Sequence, residues 1–493
     1  MSDSYYNVVV VGTELSGLIT AALLAKKGYR VLVLGNGSQS NEFVHEDFRY
    51  VRRPWLFSGF ETSQPIKRVF SDLSLSMEMH NRPKPLNPFY QVAMPGRRID
   101  VVGKEAIFNR ELAREFPGEA DRVQQYYQLV AHQNKMLGQV LDAPVIFPPQ
   151  GFMEMRNYRK LITDVLEQGI ADPLAVFPKG NLFRPFALAP LMFSTLCQTH
   201  PYSAIQLIRN QAHLSRGLYR IDGGVDALKK IFIEKVKSNC GDYREKVTVD
   251  RLTVRRGKVR EVLLRDRREV VGCDVVICNM DVKRFFNLIP EEEQKQRYHL
   301  KILELQPTDV LYTANYALRA EAIPEAMADN VFMIAKPNKP LDGDNLVMMN
   351  VDPAGPQDDP AYKVLAVTTR IPMRHIRPTL DNVDALDRKL MRYAEQLIPF
   401  FHEHAVGRAS GWLSVDRRTK KAFVDPTLMV PIFSTPLEDT LDASPVACRT
   451  AYKNILVAGD NLFSGLGFEG AFLGGLTAAT VTEGMVPKRS LLD

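Results

Sequence analysis

The sequence is poor in cysteine: five among 493 residues, Cys197, Cys240, Cys273, Cys278 and Cys448, with no C-x-x-C pair. So sparse and odd a set excludes a disulfide framework and a thiolate zinc site, and reads as reduced thiols. An uncharged run of membrane length is missing too. The longest stretch without acid or base, Pro185 to Ile208, is broken by Pro190 and Pro201 and carries Gln198, His200 and Gln206, a poor span. The start, Met1 to Asn7, has an acid and no basic segment, so no secretory leader is evident. Nothing repeats at a fixed period and no segment is of low complexity. A net charge of +6 is too small to argue for nucleic acid, although it permits weak attraction to an anionic membrane face. These absences point to a cytoplasmic protein, with peripheral contact at the inner face of a membrane left open.

What is present is ordinary globular composition, 45% hydrophobic and 24% charged, in a chain long enough for two domains. The opening is the most legible part. Val8-Val9-Val10-Val11 is a continuous β-branched run of the kind buried in parallel sheets, and Val31-Leu32-Val33-Leu34 is a second. Between them lie a turn, Gly12 to Gly17, and an Ala/Leu-rich helix, Leu18 to Lys27, stopped by Gly28. That is a βαβ unit of the doubly wound type. Helical patterns follow over Glu119–Val140, Met155–Gln168, Tyr202–Ser215 and Val225–Lys237, then strands over Lys246–Val254, Lys258–Leu264 and Val270–Cys278. The end has a strand, Asn454 to Ala458, a glycine-rich turn and a small-residue helix from Gly470. Nucleotide-type signals at the start, middle and end predict an α/β fold: a doubly wound, Rossmann-like domain assembled from three segments, with an inserted α+β substrate domain. The expected division is 1–80 plus 216–285 plus 440–493 for the first, and 81–215 plus 286–439 for the second.

A dinucleotide turn needs three glycines: for the tight bend, for approach of the backbone to the pyrophosphate, and for helix–strand packing. Here Gly12-Thr13-Glu14-Leu15-Ser16-Gly17 keeps the first and third and has Glu14 at the second. A carboxylate there adds bulk and negative charge beside a dianion. Gly35 stands where an acid would hold the adenosine ribose. The competing reading is a plain strand–turn–helix in which Glu14 is an N-terminal carboxylate favoured by the helix dipole. At the tail, Gly459-Asp460 is followed by Gly465-Leu466-Gly467-Phe468-Glu469-Gly470-Ala471 and Gly474-Gly475. A strand delivering an aspartate to such a turn suits an electron-rich ligand edge, with Asp460 accepting from ribityl hydroxyls. A glycine-rich helix packed tightly on a sheet is the alternative.

These residues resemble, over essentially the full chain, the FAD-dependent phytoene desaturases, carotenoid isomerases and retinol saturases. The tail motif carries the likeness most specifically. Gly223-Gly224-Val225-Asp226-Ala227-Leu228, Val249-Asp250-Arg251-Leu252 and Asn87 to Gly118 add to it. The resemblance implies FAD as cofactor, an apolar isoprenoid or polyene substrate, and redox or isomerisation chemistry at a C–C double bond. It implies that Val249 meets adenine through its backbone, and that Gly459, Asp460, Gly467, Phe468 and Ala471 lie at the flavin side. It also exposes departures. Besides Glu14 and Gly35, the family's Gly-Gly-Arg after the second strand is here Asn41-Glu42-Phe43. The ADP side is eroded, which implies weakened FAD binding, a cofactor without the ADP portion, or a relative that has lost its cofactor. The rival expectation is a cofactor-free binding protein or a non-catalytic subunit with a protein partner. The same fold serves as an isoprenoid carrier in the Rab GDP-dissociation inhibitors. A nicotinamide-only dehydrogenase leaves the tail motif without purpose.

Several features are read as structural. His402 and His404, one residue apart, are solvated histidines, not a metal pair. The basic positions Arg251, Arg255, Arg256, Lys258, Arg260, Arg265, Arg267 and Arg268 alternate with apolar ones, as on the wet face of a hairpin. The apolar stretch Leu182 to Leu196 is a buried helix pair in preference to a membrane dip. No catalytic acid or base stands out.

Overall fold

The computed structural model describes residues 4–486 apart from 142, 144–148, 150–151, 199–201, 266–268, 353–358, 417, 420 and 435–443. His200, Arg267 and Arg268 lie outside the described residues. Strand β1 (Ser4–Val11) pairs in parallel with β2 (Val31–Leu34) on one side and β3 (Val270–Cys278) on the other. Val8 to Val11 and Val31 to Leu34 are fully buried, which is why both runs are apolar at every position. Asp242–Arg244 extends the sheet beyond β2. On the far side of β3, the antiparallel hairpin Val249–Arg255/Lys258–Leu264 pairs with its first half and Ile455–Val457 with its second. The seven-stranded sheet thus draws on the start, middle and end of the chain, as the sequence predicts.

Helix α1 (Leu15–Lys26) covers this sheet and is itself covered by the tail, so every residue from Leu15 to Ala25 is buried. Helix α2 (Ala204–Leu214) belongs to the intervening part of the chain, and α3 (Gly467–Met485) is the tail helix. A Cβ on Gly475 would stand 2.6 Å from Ile19 Cγ2, and one on Gly474 2.7 Å from Ser16 Oγ. These glycines let α3 lie against α1, and Thr20 Oγ1 donates to the Gly475 carbonyl at 3.1 Å across the contact.

The region from Val282 to Thr435, which carries no clear motif in sequence, supplies most strands of the larger sheet. Nine described strands run in the order Arg97–Val101, Tyr90–Met94, Asn330–Ile334, Leu346–Asp352, Tyr362–Pro372, β4 (Pro307–Arg319), Val430–Ser434 and Cys197–Gln198, with Ala405–Ser410 also on β4. The pairing is mostly antiparallel. Leu182 to Leu196 forms short buried helices in the core beside it. Among the described residues no helix is long and apolar enough to cross a membrane. The basic hairpin keeps Arg251, Arg255, Arg256 and Arg260 exposed while Leu252, Val254, Val262 and Leu264 are buried. His402 and His404 face separate acids, Glu395 and Glu321. No metal-ligand group occurs among the described residues.

One buried ion pair ties the two parts together. Glu469, in the first turn of α3, accepts two hydrogen bonds from Arg209 of α2, at 2.7 and 2.6 Å. His213 Nε2 lies 3.1 Å from the same carboxylate, outside hydrogen-bond geometry, while its Nδ1 meets Thr62 Oγ1 at 2.6 Å. Burial alone would raise the Glu469 pKa, but the Arg209 guanidinium and then His213 outweigh it and hold the carboxyl below the ordinary range. Removing one member of such a pair strands the other charge in the core. Glu469→Ala is therefore expected to lower the unfolding free energy by about 3–5 kcal/mol in urea titration; a loss under about 1 kcal/mol would show that the pair does not hold the two parts together.

Candidate functional site

A cavity of about 520 Å³ opens at the carboxyl ends of β1, β2 and β3, where open α/β sheets bind their ligands. The chain leaving β1 contributes Thr13 and Glu14, that leaving β2 contributes Asn36 to Asn41, and that leaving β3 contributes Asn279 to Asp281. The opposite wall comes from the start of β4 and the segment Pro426 to Pro431. The site therefore lies between the two sheets. Of the residues expected in the turn, Thr13 and Glu14 line it, and Asp460 joins them from the tail. Gly459, Gly467 and Ala471 instead border an adjoining void of about 20 Å³. Phe468 packs edge-on against Trp55 and Phe57, with ring centroids at 6.4 and 5.3 Å.

Asn279 sets the geometry of the turn. Fully buried at the end of β3, it donates through Nδ2 to the carbonyls of Gly12 (3.1 Å) and Glu14 (2.9 Å) and accepts from the Gly17 amide (2.9 Å). Gly12, with φ +108°, and Gly17 both abut Asn279 so closely that a Cβ would overlap it. Glu14 is the N-cap residue of α1, yet its side chain makes no cap hydrogen bond. Glu14 Oε2 instead accepts from the Asp460 backbone N–H at 2.6 Å. A Cβ on Gly459 would stand 2.1 Å from that oxygen, so glycine there is what admits the carboxyl. Glu14 keeps some exposed surface, but its carboxyl end is enclosed. Burial first, and then the Asp460 carboxylate, push its pKa up to about 8.

The rest of the ADP side is closed in the same manner. The Val249 amide, expected to face adenine, donates to Asn36 Oδ1 at 2.8 Å. The Gly35 amide donates to the Arg244 carbonyl at 2.9 Å, and a Cβ there would meet the Glu245 carbonyl at 2.0 Å. An acidic residue cannot stand at that position because the neighbouring chain crosses it. Asn41 accepts from the Arg53 amide through Oδ1 (3.1 Å), and the Glu42 amide donates to Asp226 (2.9 Å). The Val249 amide, which the resemblance gives to adenine, is thus taken by Asn36 in the protein as it stands.

Sequence reasoning missed Arg53. Its guanidinium lies 4.3 Å from the Trp55 ring centroid, and Nη1 is 3.5 Å from Asp460 Oδ2. Its Nε has no partner among the described residues. Burial lowers its pKa, while Asp460 and Glu14 act in the opposite direction. The available signal was Arg52-Arg53 ahead of Trp55 in an otherwise apolar segment. Cation, carboxylate and neutral acid thus meet at the cavity floor, an arrangement able to orient a polar group.

Because the Glu14 pKa rises from 4.5 to about 8 on folding, the folded protein retains a proton that the unfolded chain has lost between those values. Stability therefore falls as pH rises through that window. Melting temperatures measured from pH 5 to pH 9 should show wild type losing ground to Glu14→Gln by a few degrees; parallel profiles would contradict the enclosed carboxyl.

Residues 10–73 match the family model described as an NAD(P)-binding Rossmann-like domain. The phytoene desaturase (neurosporene-forming) of Cereibacter sphaeroides is 20% identical over 307 residues, 59% of this chain and 56% of that protein. The chloroplastic prolycopene isomerase 2 of an Oncidium hybrid cultivar is 23% identical over 313 residues, 60% of this chain and 53% of that protein. The chain thus spans little more than half the length of these relatives. An oxidoreductase from Methanosarcina mazei has the same fold, with a TM-score of 0.56 at 15% identity, covering 95% of this chain and 98% of its own. Putrescine oxidase with bound putrescine gives 0.54 at 15% identity, covering 96% and 98%. The chain is similar in sequence to carotenoid desaturases and isomerases, and its fold is that of these oxidoreductases from end to end.

Proposed function

We propose that the chain is a flavin-dependent oxidoreductase that adds, removes or rearranges hydrogen at a C–C double bond of an apolar isoprenoid or polyene substrate. The observation that carries this reading is the placement of the cavity between the two sheets. One flank is charged, with Arg53, Asp460 and Lys229, and the other apolar, with Leu196, Val430 and Phe433. That division suits a polar cofactor on one side and a hydrocarbon on the other. The relatives named for polyene substrates support the same class. The division into 1–80 plus 216–285 plus 440–493 and 81–215 plus 286–439 belongs to this proposal.

A flavin bound in the cleft supplies hydride exchange with substrate carbon. The protein's part is positioning. Arg53, fixed on Trp55, and Asp460 would orient the cofactor's polar groups, while Leu196 and Phe433 exclude water. Seating an adenine as well requires Asn36 to release the Val249 amide. Weakened FAD binding, or a cofactor without that moiety, follows. Phe152 and Met153, 79% and 64% exposed at the start of helix Phe152–Gln168, support a peripheral membrane contact.

The self-occupied amides favour a second reading, a cofactor-free carrier or partner subunit. Visible absorbance of the purified protein, with chromatography of any ligand released on denaturation, separates the two. Near-stoichiometric flavin supports the redox enzyme; a colourless protein that ignores added FAD supports the carrier. Glu14→Gly should tighten FAD binding on the order of tenfold, about 1.4 kcal/mol, in fluorescence titration. Unchanged affinity would show that Glu14 does not compete with the nucleotide.

A further inference from the structure

A second cavity, of about 690 Å³, lies beside the larger sheet and outside the site described above. Its volume is within the range of small-molecule sites. Four cationic side chains line it, Arg184, Arg370, Arg374 and Lys339, against two acids, Asp309 and Asp342. The formal balance is four minus two, or +2, among the described lining residues.

Arg370 is the unusual member. It stands on strand Tyr362–Pro372, and its side chain is only 7% exposed. One arm, Nη2, donates to Asp309 at 3.1 Å, and the other, Nη1, has only the Met192 sulfur at 3.2 Å, a weak acceptor. Its Nε has no partner among the described residues. A buried guanidinium ordinarily has its donors matched. Arg184 differs, since it is committed to the Leu174 and Phe177 carbonyls and to the Tyr202 hydroxyl. Arg370 thus brings charge, and an Nη1 held only by a weak acceptor, to a cavity whose remaining wall includes Leu188, Met192 and Leu341.

From these observations we infer that this cavity binds the carboxylate head of an apolar, amphiphilic substrate, with Arg370 as its principal counter-charge. A single carboxylate leaves this lining with a surplus of one positive charge. A diphosphate would face Asp309 and Asp342 as well as the cations. The cavity adjoins the cleft between the sheets. Thr308 and Asp309 line the one while Pro307 and Val310 line the other, and Arg374 and Met373 divide in the same way. A head held at Arg370 therefore sets the hydrocarbon chain beside the wall shared with the cleft. That last step rests on the proposed function; the head site does not.

The test is direct binding, read by the fluorescence gain of cis-parinaric acid, a polyene fatty acid, against its uncharged methyl ester. Wild type should bind the acid at least tenfold more tightly than the ester. Arg370→Gln should erase that preference and leave ester affinity within twofold. Arg374→Glu, at a less buried position, should cut acid binding severalfold with no change for the ester, which keeps the test open should the Arg370 variant not fold. Equal binding of acid and ester by wild type would overturn the assignment, as would an equal loss of both in the variants. Displacement of the acid by inorganic phosphate but not by acetate would also overturn it. A colourless protein that still prefers the acid would refute the redox reading and leave the head site standing.

Discussion

The three hydrogen bonds of the Asn279 side chain hold the turn between β1 and α1, and the floor of the cleft depends on them. The buried amide uses both of its ends, so it fixes the turn without leaving a polar group unmatched. With the turn fixed, Glu14 leaves the helix at an angle that carries its carboxyl to the Asp460 amide instead of to its own first turn. The tail is thereby tied to the start of the chain at its most electrostatically demanding point. A carboxyl beside Asp460 is tolerated because it is held as the neutral acid near neutral pH.

Much of the fold is legible from residue pattern alone. Val8 to Val11, Val31 to Leu34 and Val275 to Cys278 are buried on both faces, which is what near-continuous apolar runs mean in parallel central strands. The start of the tail helix is less legible. Its sequence pattern begins at Gly470, yet the helix begins at Gly467, because the turn before it closes on Ser194 and Asn210 from the distant part of the chain. The nine-stranded sheet is least legible. Its pairings join residues hundreds of positions apart, such as Tyr90–Met94 with Asn330–Ile334, and no local signal encodes such a partner.

For the site, sequence marks the departures at Glu14, Gly35 and Asn41-Glu42-Phe43 but not what they accomplish. That Gly35 is pressed by the Glu245 carbonyl, or that Asn36 takes the Val249 amide, depends on contacts across more than two hundred residues of chain. Arg53 escapes notice for a related reason. Its meaning comes from Trp55 on one side and Asp460, far along the chain, on the other. Arg209 and Glu469 are equally unremarkable in sequence, since a charged pair on two helices is ordinary until both prove to be buried.

The glycines of the tail carry a consequence for how such proteins are traced through evolution. Gly467 abuts the Ser194 carbonyl, Gly470 the Phe463 carbonyl, Gly474 the Ser16 hydroxyl and Gly475 the Ile19 side chain. Each is demanded by protein atoms, whatever ligand the cleft holds. Selection for folding alone would therefore preserve this signature in a descendant that had abandoned its cofactor. The motif is a fossil record of the architecture, and the positions that report on the ligand itself are those, such as 14 and 36, that line the cleft.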